Sequence, residues 1–275
     1  MPVYQITATS DARLEPYQNV RDADLRGSRR LFMCEGRLVV ESLLASPNFE
    51  THSLLVSEKQ IDSMEDVLAN HPGLTVLVVD QETMNDIVGF DIHRGVLGAG
   101  VRTEPEHLER LITTRRRDRQ RSRVFVLEEL ANHDNVGGIF RNALAFGVDC
   151  VSLDPRCCDP LYRKSIRVSM GAVLHVPFTQ AHSTAESITI LKEMDYHVAA
   201  LTPSDDAQSL TEFATTAQAI DRLALCFGAE GDGLTSTALE RADSRVRIEM
   251  EPTIDSLNVM VSSAIAAHAT RACGR

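Results

Sequence analysis

In the first hundred residues, short apolar runs typical of strands occur together with segments whose apolar positions recur at helical spacing. Leu- and Val-rich strands are predicted at "THSLLVSEK" and "GLTVLVVD", and helices at "IDSMEDVLANH" and "QETMNDIVGF". Residues 29–46 have apolar side chains at helical spacing, which predicts another helix. "GVLGAG" (95–100) has glycines in the wrong order for a dinucleotide-binding turn and is predicted to be an ordinary turn. Together these elements predict a small α/β unit over 21–101, preceded by a flexible arm over 1–20.

From Val124 onward, apolar strands alternate with helical segments, which predicts a second domain over 123–275. Strands with intervening helices indicate a parallel sheet covered on both faces, so the fold class is α/β. Ligands of such sheets bind beyond the carboxyl ends of the strands. The loops of interest therefore follow Leu130, Leu201, Phe227 and Met250. Strands are predicted at "VFVLEEL", "CVSLDP", "HVAALTP", "LALCFG" and "RVRIEM", and helices over 136–146 and at "SITILKEM", "TSTALERA" and "LNVMVSSAIAAHATRA".

Composition narrows the class of protein. With 43% hydrophobic and 24% charged residues, the chain is typical of a soluble globular protein. Membrane spans need apolar runs of about 18 residues, and none approaches that length. The N-terminus lacks the basic and then apolar pattern of a signal peptide, so a cytoplasmic location is expected. Six cysteines are present without a C-x-x-C pair, so neither a metal site nor a disulfide framework is expected.

Charge is distributed unevenly. The net charge of −11 argues against nonspecific nucleic-acid binding by the whole surface. Residues 101–123, however, hold eight arginines against four acids, about +4 locally. Two interpretations stay open for the predicted linker 102–122: a solvated helix, or a strip that contacts RNA phosphates. The candidate RNA-binding residues are Arg115, Arg116, Arg117, Arg119 and Arg121.

Three loops carry the candidate chemistry. In the first, Asn135 is expected to cap a helix, while Gly137 and Gly138 permit close backbone approach and free amides favour an anion. Arg141 lies about one and a half turns further along. An ordinary capped helix with a surface arginine is the alternative. A phosphate-binding P-loop is excluded because G-x-x-x-x-G-K-[ST] is absent.

The second loop, "FGAEGDGL", places Glu230 among glycines directly after an apolar strand, as either a buried acid or a solvated turn residue. The third loop precedes the last predicted helix. Ser256 or Asp255 is expected to cap that helix and to leave Asn258 in its first turn.

Taken in order, the three loops resemble the SpoU/TrmH branch of the SPOUT RNA methyltransferases. That branch has N-x-G-x-x-x-R-x-A, then F-G-x-E-x-x-G-[LI], then S-L-N-V at the start of a helix. The match covers about 123–275 and includes "RKSIRVSMGAVLHVPF", while residues 21–101 more loosely resemble the family's small RNA-binding module. The matching residues are Asn135, Gly137, Arg141, Ala143, Phe227, Gly228, Glu230, Gly233, Leu234 and Ser256 to Val259.

The resemblance implies S-adenosylmethionine as the cofactor and a ribose 2′-hydroxyl of RNA as the methyl acceptor. It also implies a trefoil-knotted C-terminal chain and a homodimer formed through that domain, without a metal. Ribosomal RNA is the expected partner; transfer RNA and a noncatalytic RNA-binding protein are the alternatives. The implied cofactor-binding residues are Thr202, Gly228, Ile248 and Leu257.

The same resemblance implies the catalytic residues Asn135, Arg141, Glu230, Ser256 and Asn258. An arginine side chain stays protonated at neutral pH and is a poor base. Arg141 is therefore expected to grip an RNA phosphate and to stabilise developing alkoxide charge, with Glu230 and Ser256 fixing the arginine and the loop. One departure from the family pattern is the third motif, which reads Ile248-Glu249-Met250-Glu251-Pro252 where I-P-M-x-G is usual.

Overall fold

The computed structural model describes residues 2–18, 30–89, 92, 94–115, 121–251 and 253–271. Within these residues the chain forms two compact units. The first unit contains the described residues up to Glu104 together with Leu161–His175. The second contains Pro105–Pro160 and the residues from Val176 onward.

The first unit is built around a mixed sheet. Its strand order is β1-β4-β3-β5-β2, with β5 antiparallel to both of its neighbours. Its strands are β1 (Val3–Gln5), β2 (Leu31–Glu35), β3 (Thr51–Ser57), β4 (Val76–Val79) and β5 (Val96–Val101). Its helices are α1 (Arg37–Leu44), α2 (Ile61–Ala69) and α3 (Gln81–Val88), with a 3-10 helix over Ala12–Tyr17.

The beginning of the chain is ordered rather than a flexible arm. Strand β1 pairs in parallel with β4, and Leu14 and Tyr17 are completely buried. The hydroxyl groups of Tyr17 and Ser53 lie 2.8 Å apart and share a hydrogen bond. The prediction of a flexible arm over 1–20 is therefore wrong for residues 2–18, because Ile6, Leu14 and Tyr17 are part of the hydrophobic core of the first unit.

Two further predictions in this unit were wrong. The helix predicted over 29–46 divides at Gly36 into β2 and α1, since Gly36 has a φ of 91° that interrupts helical spacing. The turn predicted over 95–100 is strand β5. Glycine is required at position 100 of this strand because the ring of Phe32 occupies the space of a side chain. A Cβ on Gly100 would lie 2.2 Å from Cζ of Phe32.

The second unit confirms the predicted parallel sheet. All its strand pairs are parallel, in the order β10-β12-β9-β11-β6-β7-β8. The strands are β6 (Ser122–Leu127), β7 (Cys150–Leu153), β8 (Phe178–Gln180), β9 (His197–Leu201), β10 (Gln208–Ser209), β11 (Arg222–Phe227) and β12 (Ser244–Arg247). The helices are α4 (Leu108–Arg115), α5 (His133–Ala145), α7 (Thr184–Glu193), α8 (Leu210–Ala217), α9 (Ser236–Arg241) and α10 (Val259–Ala269).

The observed units differ from the boundaries expected from sequence. Helix α4 lies in the predicted linker, yet Leu108 and Ile112 are buried in the core of the second unit. Residues 161–175, which contain helix α6 (Arg163–Val168), belong to the first unit. Ser46 of the first unit donates a hydrogen bond to the carbonyl of Leu174 at 2.6 Å, which helps to hold this segment there.

None of the described helices has both the length and the hydropathy that a bilayer crossing requires. Nor does this part of the chain contain a group of His, Cys, Asp or Glu side chains arranged to hold a metal ion.

The fit of Phe32 against β5 gives a test of the strand. We expect Gly100→Ala to lower the free energy of unfolding by about 1–3 kcal/mol, because the buried ring must move. Gly73→Ala is the matched control, since a Cβ there has no neighbour within 4 Å and should change stability by less than about 0.5 kcal/mol. Urea unfolding followed by circular dichroism measures both. Equal stability of the two variants would contradict this packing.

Candidate active site

A cavity of about 300 Å³ lies beyond the carboxyl ends of β9, β11 and β12, at the edge of the sheet where ligands of parallel sheets bind. The four residues predicted to bind a cofactor line this cavity: Thr202, Gly228, Ile248 and Leu257. Glu230, Ser256 and Asn258 from the predicted catalytic set also line it. The structure thus brings together residues 202 and 258, which are 56 positions apart in the sequence.

The loop after β11 folds back on itself. Ala229 and Gly233 exchange two backbone hydrogen bonds of 3.1 Å each. Gly228 lies against the returning backbone, where a Cβ would come within 2.2 Å of the carbonyl carbon of Gly233. Gly231, with a φ of 98°, closes the turn in a conformation that favours glycine. The glycines therefore shape the loop, and Glu230 at its tip is exposed rather than buried.

The far end of this loop is fixed by a residue that sequence reasoning missed. Glu128 is 4% exposed and directly follows β6. Its carboxylate accepts hydrogen bonds from the amide of Thr235 at 2.8 Å and from the hydroxyl of Thr235 at 3.0 Å. The sequence signal that could have identified Glu128 is the position of an acidic residue directly after an apolar strand.

Helix α5 begins earlier than predicted. Its N-cap is Asn132, whose side chain accepts from the amide of Asp134 at 2.8 Å. Asn135 is therefore inside the first turn, and 4% exposed. Its side-chain amide donates to Oε1 of Glu230 at 2.6 Å. Asn135 thus contacts the cavity loop instead of capping its own helix.

The cap of α10 also differs from the prediction. Asn258, rather than Ser256 or Asp255, is the N-cap, and its Oδ1 accepts from the amides of Met260 and Val261 at 2.9 and 3.4 Å. With Oδ1 committed to the helix, Nδ2 points toward the cavity loop. It donates to Oδ1 of Asn135 at 2.9 Å and to Oε1 of Glu230 at 3.1 Å.

Asn135, Glu230 and Asn258 therefore form a closed triangle of hydrogen bonds, which we call the amide–carboxylate triangle. It joins one residue from each of the three motif loops. The backbone determines which group donates and which accepts in this triangle. The amides of α10 fix the orientation of the Asn258 side-chain amide, and Asn258 in turn fixes the orientation of Asn135. Hydrogen bonds to a carboxylate are among the stronger kinds, so the triangle is expected to keep the three loops in register.

Helices α5 and α10 pack closely beside the triangle. Gly138 faces Met260, where a Cβ would lie 1.9 Å from the sulfur. The side-chain amide of Asn142 donates to the carbonyl of Met260 at 2.8 Å and to Oγ of Ser263 at 2.9 Å. Asn135, Gly138 and Asn142 share one face of α5 at helical spacing. Gly138 thus permits helix contact rather than cradling a phosphate.

Arg141 lies apart from the triangle. It is about 9 Å along the helix axis and about 120° around the helix from Asn135. The residue is exposed, and within the described part of the chain its guanidinium has no hydrogen bond or ion pair. Glu230 contacts Asn135 and Asn258 instead of fixing the arginine as the resemblance implied. The cationic group is thus available to a ligand.

The arginine-rich segment is described only in part. Arg121 is half-buried and pairs with Asp221 at 3.7 Å between Nε and Oδ1. Arg115 is the last residue of α4. Arg116, Arg117 and Arg119 lie outside the described residues, so RNA binding by this strip stays a prediction.

In the unusual third motif, which begins at Ile248, the first and third residues line the cavity. Ile248 and Met250 both line it, whereas Glu249 between them is exposed and is not part of the lining. Nearby Ser209 and Thr211 lower the pKa of the Glu249 carboxyl, Ser209 contributing most. Pro252 lies outside the described residues.

Comparison with known proteins identifies the family. Residues 122–268 match the model of the SpoU rRNA methylase family. The chain belongs to this family, whose members are methyltransferases that act on RNA. An uncharacterized tRNA/rRNA methyltransferase of Mycobacterium tuberculosis is 36% identical over 270 residues, which cover 97% of this chain and 91% of the relative.

Solved structures show that the similarity extends to the first unit. One, of an RNA 2′-O ribose methyltransferase, is 26% identical with a TM-score of 0.75 and covers 97% of this chain and 98% of its own. An AdoMet-bound rRNA methyltransferase from Sinorhizobium meliloti is 21% identical with a TM-score of 0.78, covers 98% and 97% of the two chains, and supports the fold alone. The SPOUT fold class expected from the motifs is confirmed.

The amide–carboxylate triangle predicts an unusual effect at Asn258. Asn258→Ala should cost about 1 kcal/mol of stability because the helix cap is lost. Asn258→Asp keeps the cap, yet it should also destabilise, because it places a second carboxylate against Glu230. Adding Glu230→Gln should restore stability, with a coupling free energy of at least about 0.5 kcal/mol in a double-mutant cycle measured by urea unfolding. Additive effects would refute the contact.

Proposed function

We propose that this protein transfers the methyl group of S-adenosylmethionine to a ribose 2′-hydroxyl of ribosomal RNA. The observation that carries the proposal is that two of the family motif loops line one cavity beyond the carboxyl edge of the parallel sheet, while Asn135 of the third loop is hydrogen-bonded to both of them. The similarity over nearly the whole chain to an RNA 2′-O ribose methyltransferase supports the ribose hydroxyl as the acceptor.

The cavity suits the cofactor in size and chemistry. Its volume of about 300 Å³ is at the lower end of the range for small-molecule sites. Leu201, Ile248 and Leu257 provide apolar surface for an adenine ring, while Thr202 and the backbone at Gly228 provide polar groups for ring nitrogens and ribose. When bound there, the cofactor supplies a methyl group made electrophilic by its sulfonium.

Side chains of this protein would orient and activate the acceptor. Arg141 carries a cation with no partner among the described residues, so it can bind an RNA phosphate and lower the free energy of the developing alkoxide. The amide–carboxylate triangle holds Asn135 and Asn258 in position beside the cavity. Alignment of acceptor and donor then contributes much of the rate.

Ribosomal RNA is favoured over transfer RNA by the first unit. The family match begins at residue 122, and most of the residues before it, up to Glu104, belong to the first compact unit, which can bind a second part of a large RNA. This unit, with the arginines of 102–122, is proposed as the substrate-binding part. A trefoil knot in the C-terminal chain also remains a prediction, as does a cytoplasmic location.

Transfer of a radioactive methyl group tests the proposal. The protein, S-adenosylmethionine labelled in the methyl group, and either ribosomal RNA or transfer RNA from a strain lacking the gene are incubated together. We expect label in ribosomal RNA, at a position that resists alkaline hydrolysis because cleavage there needs a free 2′-hydroxyl. Label in transfer RNA alone would change the substrate. Label released as a methylated base would exclude the ribose acceptor.

Arg141 separates chemistry from cofactor binding in the same assay. Arg141→Ala should lower turnover about 100-fold, because a charge-stabilising donor is lost. Its dissociation constant for S-adenosylmethionine, measured by calorimetry, should stay within twofold. Arg241→Ala removes another exposed arginine of the same unit and is the matched control. Normal methylation by Arg141→Ala would remove the assigned role.

We further propose that a homodimer forms over the outer face of α5 and α10. Val261 and Ile265 lie one turn apart on α10, and Leu144 lies on the adjoining helix. These three large apolar side chains are between 38% and 46% exposed. Large apolar side chains exposed on two adjoining helices are typical of contacts between subunits.

A charge placed in this face should separate the subunits. We expect Ile265→Glu to shift the protein from dimer to monomer in sedimentation velocity, because a carboxylate would be buried without a partner. Leu38→Glu, at an exposed apolar position on α1, is the control and should leave the mass unchanged. A monomeric wild type, or a dimeric Ile265→Glu variant, would contradict this interface.

A further inference from the structure

Charge inside the candidate cavity comes from one side chain. Among the described residues that line it, Glu230 is the single ionisable one, and the others are apolar, hydroxyl or amide side chains or glycine. A ligand in this cavity therefore meets one fixed negative charge and no described positive charge.

The position of that charge is tightly constrained. Oε1 of Glu230 accepts hydrogen bonds from Nδ2 of Asn135 at 2.6 Å and from Nδ2 of Asn258 at 3.1 Å. Asn258 cannot rotate its amide without releasing the first amides of α10. The carboxylate consequently lines the cavity from a fixed place, although the residue is exposed to solvent.

We infer that Glu230 makes the cavity prefer the cationic methyl donor over the neutral product, so that spent cofactor is replaced. The inference rests on the proposed function. S-adenosylmethionine carries a sulfonium, an ammonium and a carboxylate, for a net charge of about +1 at neutral pH. Transfer of the methyl group leaves a thioether and removes the positive charge from sulfur. A fixed carboxylate attracts the donor through this additional charge, and the product lacks it.

The size of the preference is limited by solvent. Exposed charge pairs interact weakly because water screens them. We therefore expect the wild-type protein to bind the donor about three- to tenfold more tightly than S-adenosylhomocysteine. The same preference should extend to sinefungin, in which a protonated amine replaces the methylated sulfonium.

Calorimetric titration of the full chain without RNA tests the inference, using S-adenosylmethionine, S-adenosylhomocysteine and sinefungin. Glu230→Gln removes the charge while its amide oxygen can still accept from both asparagines. This variant should bind the two cationic ligands about fivefold more weakly and the product within twofold of wild type. Glu251→Gln makes the same charge change in the neighbouring loop outside the cavity lining, and should leave all three constants unchanged.

The outcomes separate this inference from the proposed function. A wild type that binds no S-adenosylmethionine would overturn the proposed function, and this inference with it. Binding of donor and product that is weakened equally by Glu230→Gln would assign Glu230 a structural part and overturn only the inference. If Glu230→Gln does not fold, titration of the wild-type protein at increasing salt concentration still tests the inference. Its preference for the two cationic ligands over the product should shrink as salt is raised. A ratio of dissociation constants that does not change with salt would overturn the inference.

Discussion

The cap of the last helix determines the arrangement of the candidate site. One oxygen of Asn258 satisfies backbone amides that every helix start leaves without partners. Because that oxygen is committed, the nitrogen of the same amide faces Asn135 and Glu230. Local backbone chemistry at residue 258 thereby orients side chains that lie 123 and 28 positions away.

The surrounding packing makes this arrangement durable. Gly138 lets α10 approach α5 closely, and Asn142, about one turn further along α5, donates a hydrogen bond to the first turn of α10. Glu128 fixes the far end of the loop that carries Glu230. The triangle is therefore supported from both sides by partly buried polar contacts, and such contacts rigidify a site only when each group has its partner. Arg141 stands outside this framework and keeps the freedom to meet a substrate.

Much of the fold was predictable because apolar runs directly report buried parallel strands. The runs at Val124 and Leu223 predicted β6 and β11, which are neighbours in the sheet. Strand β5 was missed because glycines lower strand propensity. Their neighbours, Phe32 against Gly100 and Leu54 against Gly98, are distant in the sequence. Helix spacing across 29–46 concealed a strand that ends where Gly36 changes the backbone direction.

The family motifs name the candidate site residues, but they do not show which side chains bond to which. Resemblance to the family pointed to Asn135, Glu230 and Asn258, and the structure brings these three together. Which asparagine caps a helix depends on the tertiary partner available to each, so Asn135 and Asn258 were both given the wrong local role. Glu128 escaped notice because its partner, Thr235, is 107 positions away.

The interleaving of the two units along the chain has a consequence for synthesis. Residues 161–175 belong to the first unit, although most of the second unit's sheet lies on either side of them in the sequence. The hydroxyl groups of Ser42 and Ser46 donate hydrogen bonds to the backbone carbonyls of Gly171 and Leu174 in this later segment. Since chains emerge from the ribosome N-terminus first, the amino-terminal unit cannot complete its contacts until His175 has been translated. Folding of the first unit can therefore be completed only after strands β6 and β7 of the second unit have been synthesised.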